Sequence, residues 1–410
     1  MALPRSWLAS FPDDVVEEIL TRLPPKPLVR FRCVSRCWKS NIADPKFIEK
    51  HLTVNKAKSL SDYYNNDNNN VGYLLWGERR MPLIGEHISM ESDLFTVVCN
   101  TDGPLTEISR GIIPSFFIKG FCNGIFYSVG IRWRPCTVPR PGYYRVYNPG
   151  VTLCNPSIRE YKRLPRVLND DRFETCAYQL AFPTSQNNDL KFLVFGRSIE
   201  KGAPSKELGA QIYTLSTDSW SSVELQVDSL DIESVGPITR IARLHHLFYN
   251  GALHFTAVTS QGYKFILCCD IDDEEFPFRE IKLPPNYSNG LSLKLEQLVV
   301  FKGSLALIAF GQDEAESIEV CRIWVMSEYG LVDSSWTPTF SVPLSGVEDF
   351  LGCTGSGELV IKKSGNQVFL FDPENQNEKD LGIQNLTPVE HLDPLVFTAN
   401  LVESLVLLKP

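Results

Sequence analysis

The chain has 410 residues, 43% of them hydrophobic, and a formal net charge of -9, which is enough apolar material for a large core and excludes a disordered or fibrous chain. The charge is uneven: residues 1–60 hold eleven Lys/Arg against six Asp/Glu, a local +5, and the remainder carries -14, so two modules of opposite sign are expected. No apolar run approaches the roughly 18 residues of a membrane span, and 11 cysteines without a C-x-x-C pair point to free thiols in a reducing compartment rather than to a zinc site or a disulfide framework.

"MALPRSWLASFPDD" reaches Pro12, Asp13 and Asp14 before an apolar h-region can form, so no secretory leader is expected. Residence is then cytoplasmic and/or nuclear, and the sequons at Asn286 and Asn385 should stay unmodified. A first helix is predicted after Ser10 as N-cap, with Pro12 in its first turn and Asp13, Asp14, Glu17 and Glu18 at the positive end of its dipole. Val15, Val16, Ile19, Leu20 and Leu23 fall at helical spacing until Pro24 and Pro25 end the element.

The stretch "LPPKPLVRFRCVSRCWKSNI" carries Leu28, Val29, Phe31, Val34, Trp38 and Ile42 as a helical apolar stripe threaded with basic residues. It predicts a second helix from Pro27 to Ile42, with a third from Asp44–Pro45 through "KFIEKHL". Three short helices cannot bury all of this apolar surface among themselves, so part of it should face a partner. The basic residues alternate with apolar ones and no aromatic stacking array accompanies them, which favours an acidic protein surface over nucleic acid. The asparagine-rich "SLSDYYNNDNNNVG" that follows, 59–72, lacks apolar periodicity and is read as a solvated linker.

From Gly72 onward the chain turns to short apolar runs bounded by Gly, Asn, Asp and Pro, which read as β-strands. One unit recurs as "VTLCNPSIREYKRLP", "QIYTLSTDSWSSVEL", "FILCCDIDDEEFPFREIKLP", "RIWVMSEYGLVDSSWTPTFSVP" and "QVFLFDPENQNEKDLGI". Aligned on Leu153, Ile212, Ile266, Ile323 and Val368, its steps are 59, 54, 57 and 45 residues, the size of a propeller blade. A second unit opens a strand from a tight turn: "FCNGIFYSV", "FYNGALHFTAV", "FKGSLALIAF" and "GSGELVIKK". Paired, the two units make one four-stranded blade, and head-to-tail closure removes the sheet edges. Kelch repeats are set aside because no Gly-Gly occurs, and WD-repeats because Trp220 and Trp336 follow Ser.

The search for chemistry finds little. His245, His246 and His254 lie around a strand pair without a matching carboxylate. No G-x-S-x-G elbow, P-loop or G-x-G-x-x-G is present. "GCTGSGEL" reads as a hairpin turn, and "DIDDEE" lacks the glycine and distal Glu of an EF-hand loop.

Residues 11–52, "FPDDVVEEILTRLPPKPLVRFRCVSRCWKSNIADPKFIEKHL", closely resemble an F-box, with its Leu/Phe-Pro-acid opening, Ile-Leu-x-x-Leu-Pro centre and Val-x-x-x-Trp close. Residues from about Phe116 to Leu381 resemble the F-box-associated domain of plant proteins, including the S-locus and defence-regulating groups, through "GFCNGIFYS", "CNPSIREYKRLP", "YTLSTDSW", "NGALHF" and "IWVMSEYGLVDSSW". The resemblance implies an α+β multidomain chain: a small three-helix F-box over 5–52, the linker 53–72 and an all-β propeller-like domain over 73–408. It further implies the substrate-recognition subunit of an SCF-type ubiquitin ligase, non-catalytic, without cofactor or metal, docking on the acidic C-terminal helices of a Skp-type adaptor and through it on a cullin while the propeller holds a protein target. The docking face it implies comprises Phe11, Pro12, Val16, Ile19, Leu20, Leu23, Pro24, Leu28, Val34 and Trp38. The family's Gly-Tyr/Phe-Asp turn has lost its glycine in "AYQLAFPTSQNNDLKFLVF", and the Pro/Arg-rich "RWRPCTVPRPGYYR" is expected to project as a loop. An alternative of another class is a propeller enzyme or ligand-binding module whose front helices oligomerise.

Overall fold

The computed structural model describes residues 12–64, 71–80, 90–99, 106–114, 117–130, 133–135, 144–146, 150–155, 157–167, 173–181, 189–200, 203–204, 208–227, 230–242, 247–273, 275–329, 335–365, 367–381, 397–398 and 404–406. Helices come first: α1 (Asp13–Thr21), α2 (Pro25–Phe31), α3 (Arg36–Ala43) and α4 (Pro45–Tyr64). Pro12 stands at the N-cap of α1 and its carbonyl accepts from the Val15 and Val16 amides at 3.1 and 3.2 Å; Ser10 lies outside the described residues.

The single helix expected over 27–42 is two. Ser35 takes an extended conformation and its hydroxyl accepts the Trp38 amide at 3.1 Å. That cap starts a new helix in mid-stripe, because a serine beside free helical amides competes well with continuation. The linker reading also changes: α4 runs on through Ser59–Tyr64, a strand begins at Val71, and 65–70 lie outside the described residues.

Apart from a short helix, α5 (Ile232–Val235), the regular structure of the remaining described residues is chiefly six four-stranded antiparallel sheets, two of which carry an extra short strand. Sheet 1 takes Val71–Arg80, Met90–Cys99 and Thr106–Pro114, and adds Phe397–Thr398 from the far end of the chain. The other five are built from consecutive strands. Sheet 2 has Phe117–Cys122, Ile125–Gly130, Gly150–Asn155 and Glu160–Arg163; sheet 3 has Phe173–Ala181, Lys191–Glu200, Gly209–Thr214 and Ser219–Val223. Sheet 4 has Ile238–Ile241, Ala252–Thr259, Lys264–Asp270 and Phe278–Ile281, with Leu247–Tyr249 continuing its first strand. Sheet 5 has Leu291–Phe301, Ser304–Asp313, Glu319–Met326 and Trp336–Pro343; sheet 6 has Val347–Cys353, Leu359–Lys363, Gln367–Phe371 and Glu378–Asp380.

The edge strands of neighbouring sheets touch in turn. Phe117–Cys122 meets Phe173–Ala181, which meets Ile238–Ile241; Leu247–Tyr249 meets Leu291–Phe301, which meets Val347–Cys353, which meets Phe397–Thr398. Met90–Cys99 of sheet 1 touches Phe117–Cys122 of sheet 2 and closes the circuit. This is a propeller arrangement, each sheet packed face to face with the next.

The five residues aligned in sequence, Leu153, Ile212, Ile266, Ile323 and Val368, all fall on the third strand of their sheets. The second recurring unit is the turn between first and second strands. Asn123-Gly124, Asn250-Gly251 and Lys302-Gly303 all have both residues at positive φ, between 47° and 84°, the geometry of a two-residue hairpin that follows strand twist. In sheet 3, where the glycine is missing, Ala181 and Lys191 still pair across a longer connection. The Pro/Arg-rich insert begins and ends as a two-stranded hairpin, Trp133–Pro135 on Tyr144–Val146, with 136–143 outside the described residues.

A repeated bond explains the aromatic at the fourth strand. The Trp220 indole donates to Pro165 O at 2.9 Å and the Trp336 indole to Lys282 O at 2.8 Å. Each ties its sheet to the crossing that leads from the previous one.

Candidate functional site

The helical module is held by a small core. Leu20, Leu28, Ile42, Phe47 and Ile48 are buried and belong to one cluster with Ile125, Leu153 and Leu164 of sheet 2 and with Leu405 and Val406. His51 is wholly buried; its Nε2 donates to Leu23 O at 2.9 Å and its Nδ1 accepts from the Asn55 amide at 3.1 Å. Burial holds this imidazole below its usual pKa, so it stays neutral while fixing the α1–α2 turn. Lys50 of α4 pairs with Glu17 of α1 at 2.8 Å. Trp38 is half-buried with its ring edge-on to Phe31, centroids 5.3 Å apart.

These contacts sort the ten residues of the expected docking face. Leu20 and Leu28 point inward, with 5% and 0% exposure, and serve as the module's own core. Val16, Leu23 and Trp38 are half-buried against that core. Pro12 and Pro24 are exposed, as are Ile19 at 53% and Val34 at 61%; Phe11 lies outside the described residues. Val15, 39% exposed, was not among the ten. It lies one helical turn before Ile19, and the i, i+4 spacing that puts both on one face was present in the sequence. The exposed large apolar residues of the helical module are thus Val15, Ile19 and Val34, and Arg22, Lys26, Arg30, Arg36 and Lys39 are exposed as well.

Within the β-domain a row of polar side chains crosses sheet 4, buried at His254 and Cys268. His254, Cys268 and Arg279 are directly paired on adjacent strands, and Tyr329 reaches over from sheet 5. The Tyr329 hydroxyl lies 2.8 Å from His254 Nε2, and the Arg279 Nε–H points to Cys268 Sγ at 3.3 Å. His254 and Cys268 are fully buried, and burial lowers the imidazole pKa to about 4 while raising that of the thiol. A neutral imidazole beside a protonated, buried thiol is no nucleophile pair; the row welds sheet 4 to sheet 5. His245 and His246 lie outside the described residues, and among the described residues no three His, Cys, Asp or Glu side chains gather as metal ligands.

The acidic turn after Lys264–Asp270 is closed by its own carboxylates: Asp270 accepts the Asp272 amide at 3.0 Å and Asp273 the Glu275 amide at 2.9 Å. "GCTGSGEL" is the turn between the first two strands of sheet 6, where Gly357 has φ 95° and donates to Thr354 O at 3.0 Å. No helix among the described residues is long and apolar enough to cross a membrane.

Comparison with known proteins bears on both modules. Residues 8–50 match the F-box domain, and residues 144–395 match the F-box associated beta propeller domain. A putative F-box protein of Arabidopsis thaliana, At2g16220, is 24% identical over 409 residues, covering 91% of this chain and 84% of that protein. F-box protein CPR1 of the same plant is also 24% identical, covering 97% of this chain and 88% of its own. Among solved structures, TolB from Acinetobacter baumannii aligns over 78% of this chain and 71% of its own with a TM-score of 0.34 and 10% identity.

Proposed function

For this chain, which belongs to the F-box proteins with an F-box associated β-propeller domain, we propose the role of substrate-recognition subunit in an SCF-type ubiquitin ligase. The F-box docks on a Skp-type adaptor, through it reaches a cullin, and the ring of sheets holds the protein target. The receptor performs no bond chemistry; it raises the effective concentration of a target lysine near the conjugating machinery.

The observation that carries this reading is that Val15, Ile19 and Val34 of the small module are apolar and exposed. An apolar centre with a basic rim suits an acidic, groove-forming partner, since the centre supplies burial and the rim supplies steering. We assign the direct contacts to Pro12, Val15, Ile19, Pro24 and Val34 and partial contacts to Val16, Leu23 and Trp38, with Leu20 and Leu28 as supports from beneath. The propeller loops are where target specificity would reside.

The test is a pull-down of full-length protein with purified adaptor and cullin, comparing wild type, Ile19→Asp, Val34→Asp and Leu28→Ala. The two surface variants should bind at least tenfold more weakly, a loss of about 1.4 kcal/mol or more, with an unchanged melting curve. Leu28→Ala should instead destabilise the module by roughly 2–5 kcal/mol. Full binding by both surface variants would remove this face from the docking assignment.

A further inference from the structure

We propose that Cys33 and Cys37 form a redox-sensitive modification site beside the docking face, taken by mixed-disulfide formation with a small anionic disulfide of the glutathione class, which blocks adaptor binding. The inference rests on the docking role proposed above and adds its regulation.

The first observation is selectivity by burial. Among the cysteines whose side chains are described, Cys122, Cys154, Cys268, Cys269 and Cys321 are buried and Cys353 is half-buried; Cys33 and Cys37 are exposed. Burial also raises the thiols of Cys154 and Cys353, to about 11 and about 12, and that of Cys269 well above its usual value. Those sulfurs are out of reach of a dissolved reagent and protonated at neutral pH. The exposed thiols among these described side chains are therefore two, within five residues of each other.

The second observation is position. Cys33 sits in the turn after α2, its amide donating to Arg30 O at 3.0 Å, and Cys37 in the first turn of α3 behind the Ser35 cap. Between them stands Val34, 61% exposed, and after them Trp38, packed on Phe31. A tripeptide attached to either sulfur would lie over the apolar surface that docking must cover.

The third is charge. From Ile19 to Ala43 the chain carries six Lys/Arg and no Asp or Glu, so an anionic reagent is drawn to this stretch. The adduct it leaves brings carboxylates to the rim proposed to meet an acidic adaptor. Bulk and like charge then act in the same direction.

The step is a thiol–disulfide exchange. The thiolate of Cys33 or Cys37 attacks one sulfur of the small disulfide; the old S–S bond breaks, a protein–tripeptide S–S bond forms, and the second half leaves as a thiolate that takes up the proton the cysteine lost. The protein thiol is oxidised, one half of the reagent is reduced, and excess reduced thiol reverses the exchange.

Full-length protein is equilibrated with oxidised glutathione, mapped by peptide mass spectrometry, and assayed for adaptor binding before treatment, after it, and after dithiothreitol. The expected result is a glutathionyl adduct on Cys33 or Cys37 with the buried cysteines unmodified, roughly tenfold or weaker adaptor binding, and recovery on reduction. Cys33→Ser/Cys37→Ser should bind equally in all three states, and bound adaptor should slow alkylation of both thiols in the wild type. An adduct with undiminished binding, an internal Cys33–Cys37 disulfide in place of the adduct, or no modification at these positions would each overturn the inference. If the reduced protein does not bind adaptor, the docking role fails along with its regulation, and the separate adduct map distinguishes that case from an unreactive pair.

Discussion

His254 shows how little of a residue's role lies in its type. It is paired across strands with Cys268, faces Arg279 and the Tyr329 hydroxyl, and has the Tyr249 ring 6.3 Å away. A free imidazole titrates near pH 6.5, whereas burial holds this one at about 4 with the Arg279 charge adding to the effect. Between those values the unfolded chain binds a proton that the folded chain refuses. The contribution to stability is therefore complete above pH 6.5 and lost progressively as pH falls towards 4, by roughly 1.4 kcal/mol per unit. Asp349, which burial raises to about 6, works in the opposite direction between its unfolded value and 6. The imidazole is isolated by comparison: denaturant midpoints at pH 7 and pH 5 should differ by more in wild type than in His254→Gln. Equal differences would show that His254 already titrates normally in the fold. None of this was legible from the sequence, where His254 stood with His245 and His246 as three histidines near a strand pair, because its partners come from positions 14, 25 and 75 residues away. The apolar positions of the helical module were more legible, since Ile19 and Val34, both exposed in the fold, follow from helical spacing. Spacing cannot say which side of a two-sided amphipathic helix looks inward, and that is why Leu20 and Leu28 were grouped with them.

At the scale of the element, local turn chemistry reads well and interrupted elements read poorly. The turns at Asn123-Gly124 and Asn250-Gly251 and the third-strand positions from Leu153 to Val368 follow directly from the sequence, because each depends on residues only a few positions apart. The break between α2 and α3 was missed, since the apolar stripe runs through Ser35 without losing phase while the cap overrides it. Sheet 5 hides a similar device. The pairing of Leu291–Phe301 with Ser304–Asp313 slips between Leu293 and Leu295, and Gly311 stands opposite the slip. A Cβ at Gly311 would sit 2.2 Å from the Ser292 carbonyl oxygen, a main-chain atom that cannot rotate aside. Gly311→Ala should therefore lower stability by on the order of 1–3 kcal/mol, measured as a fall in the urea midpoint with unchanged slope. An unchanged midpoint would mean that the bulge yields without strain.

At the scale of the whole molecule, the ring depends on its far end. Phe397–Thr398 pairs with Leu74 and Leu75 and touches Val347–Cys353, so the chain's last described strand joins the first sheet to the sixth. Just beyond it, the buried Asn155 side chain donates to Ser404 O at 3.1 Å and Val406 O at 2.9 Å, and the Ser404 amide donates to Ser157 Oγ at 3.2 Å. Leu405 and Val406 then enter the cluster shared by the helical module and sheet 2. The sequence repeat could not disclose this closure, because sheet 1 is assembled from segments some three hundred residues apart and its closing strand has only two residues. Removing residues 397–410 should open the ring, leave an unpaired edge on Val71–Arg80 and strip two buried acceptors from Asn155. The expected outcome is a lower, broader melting transition with concentration-dependent light scattering, since an open β-edge recruits other chains. Asn155→Ala keeps the closing strand and removes only the clasp, so it should lower the melting temperature by a smaller amount, corresponding to roughly 1–3 kcal/mol, without the scattering. A truncated chain that melted and scattered like the full-length protein would show that the six sheets hold their circuit by face packing alone and that the C-terminal strand is dispensable to it.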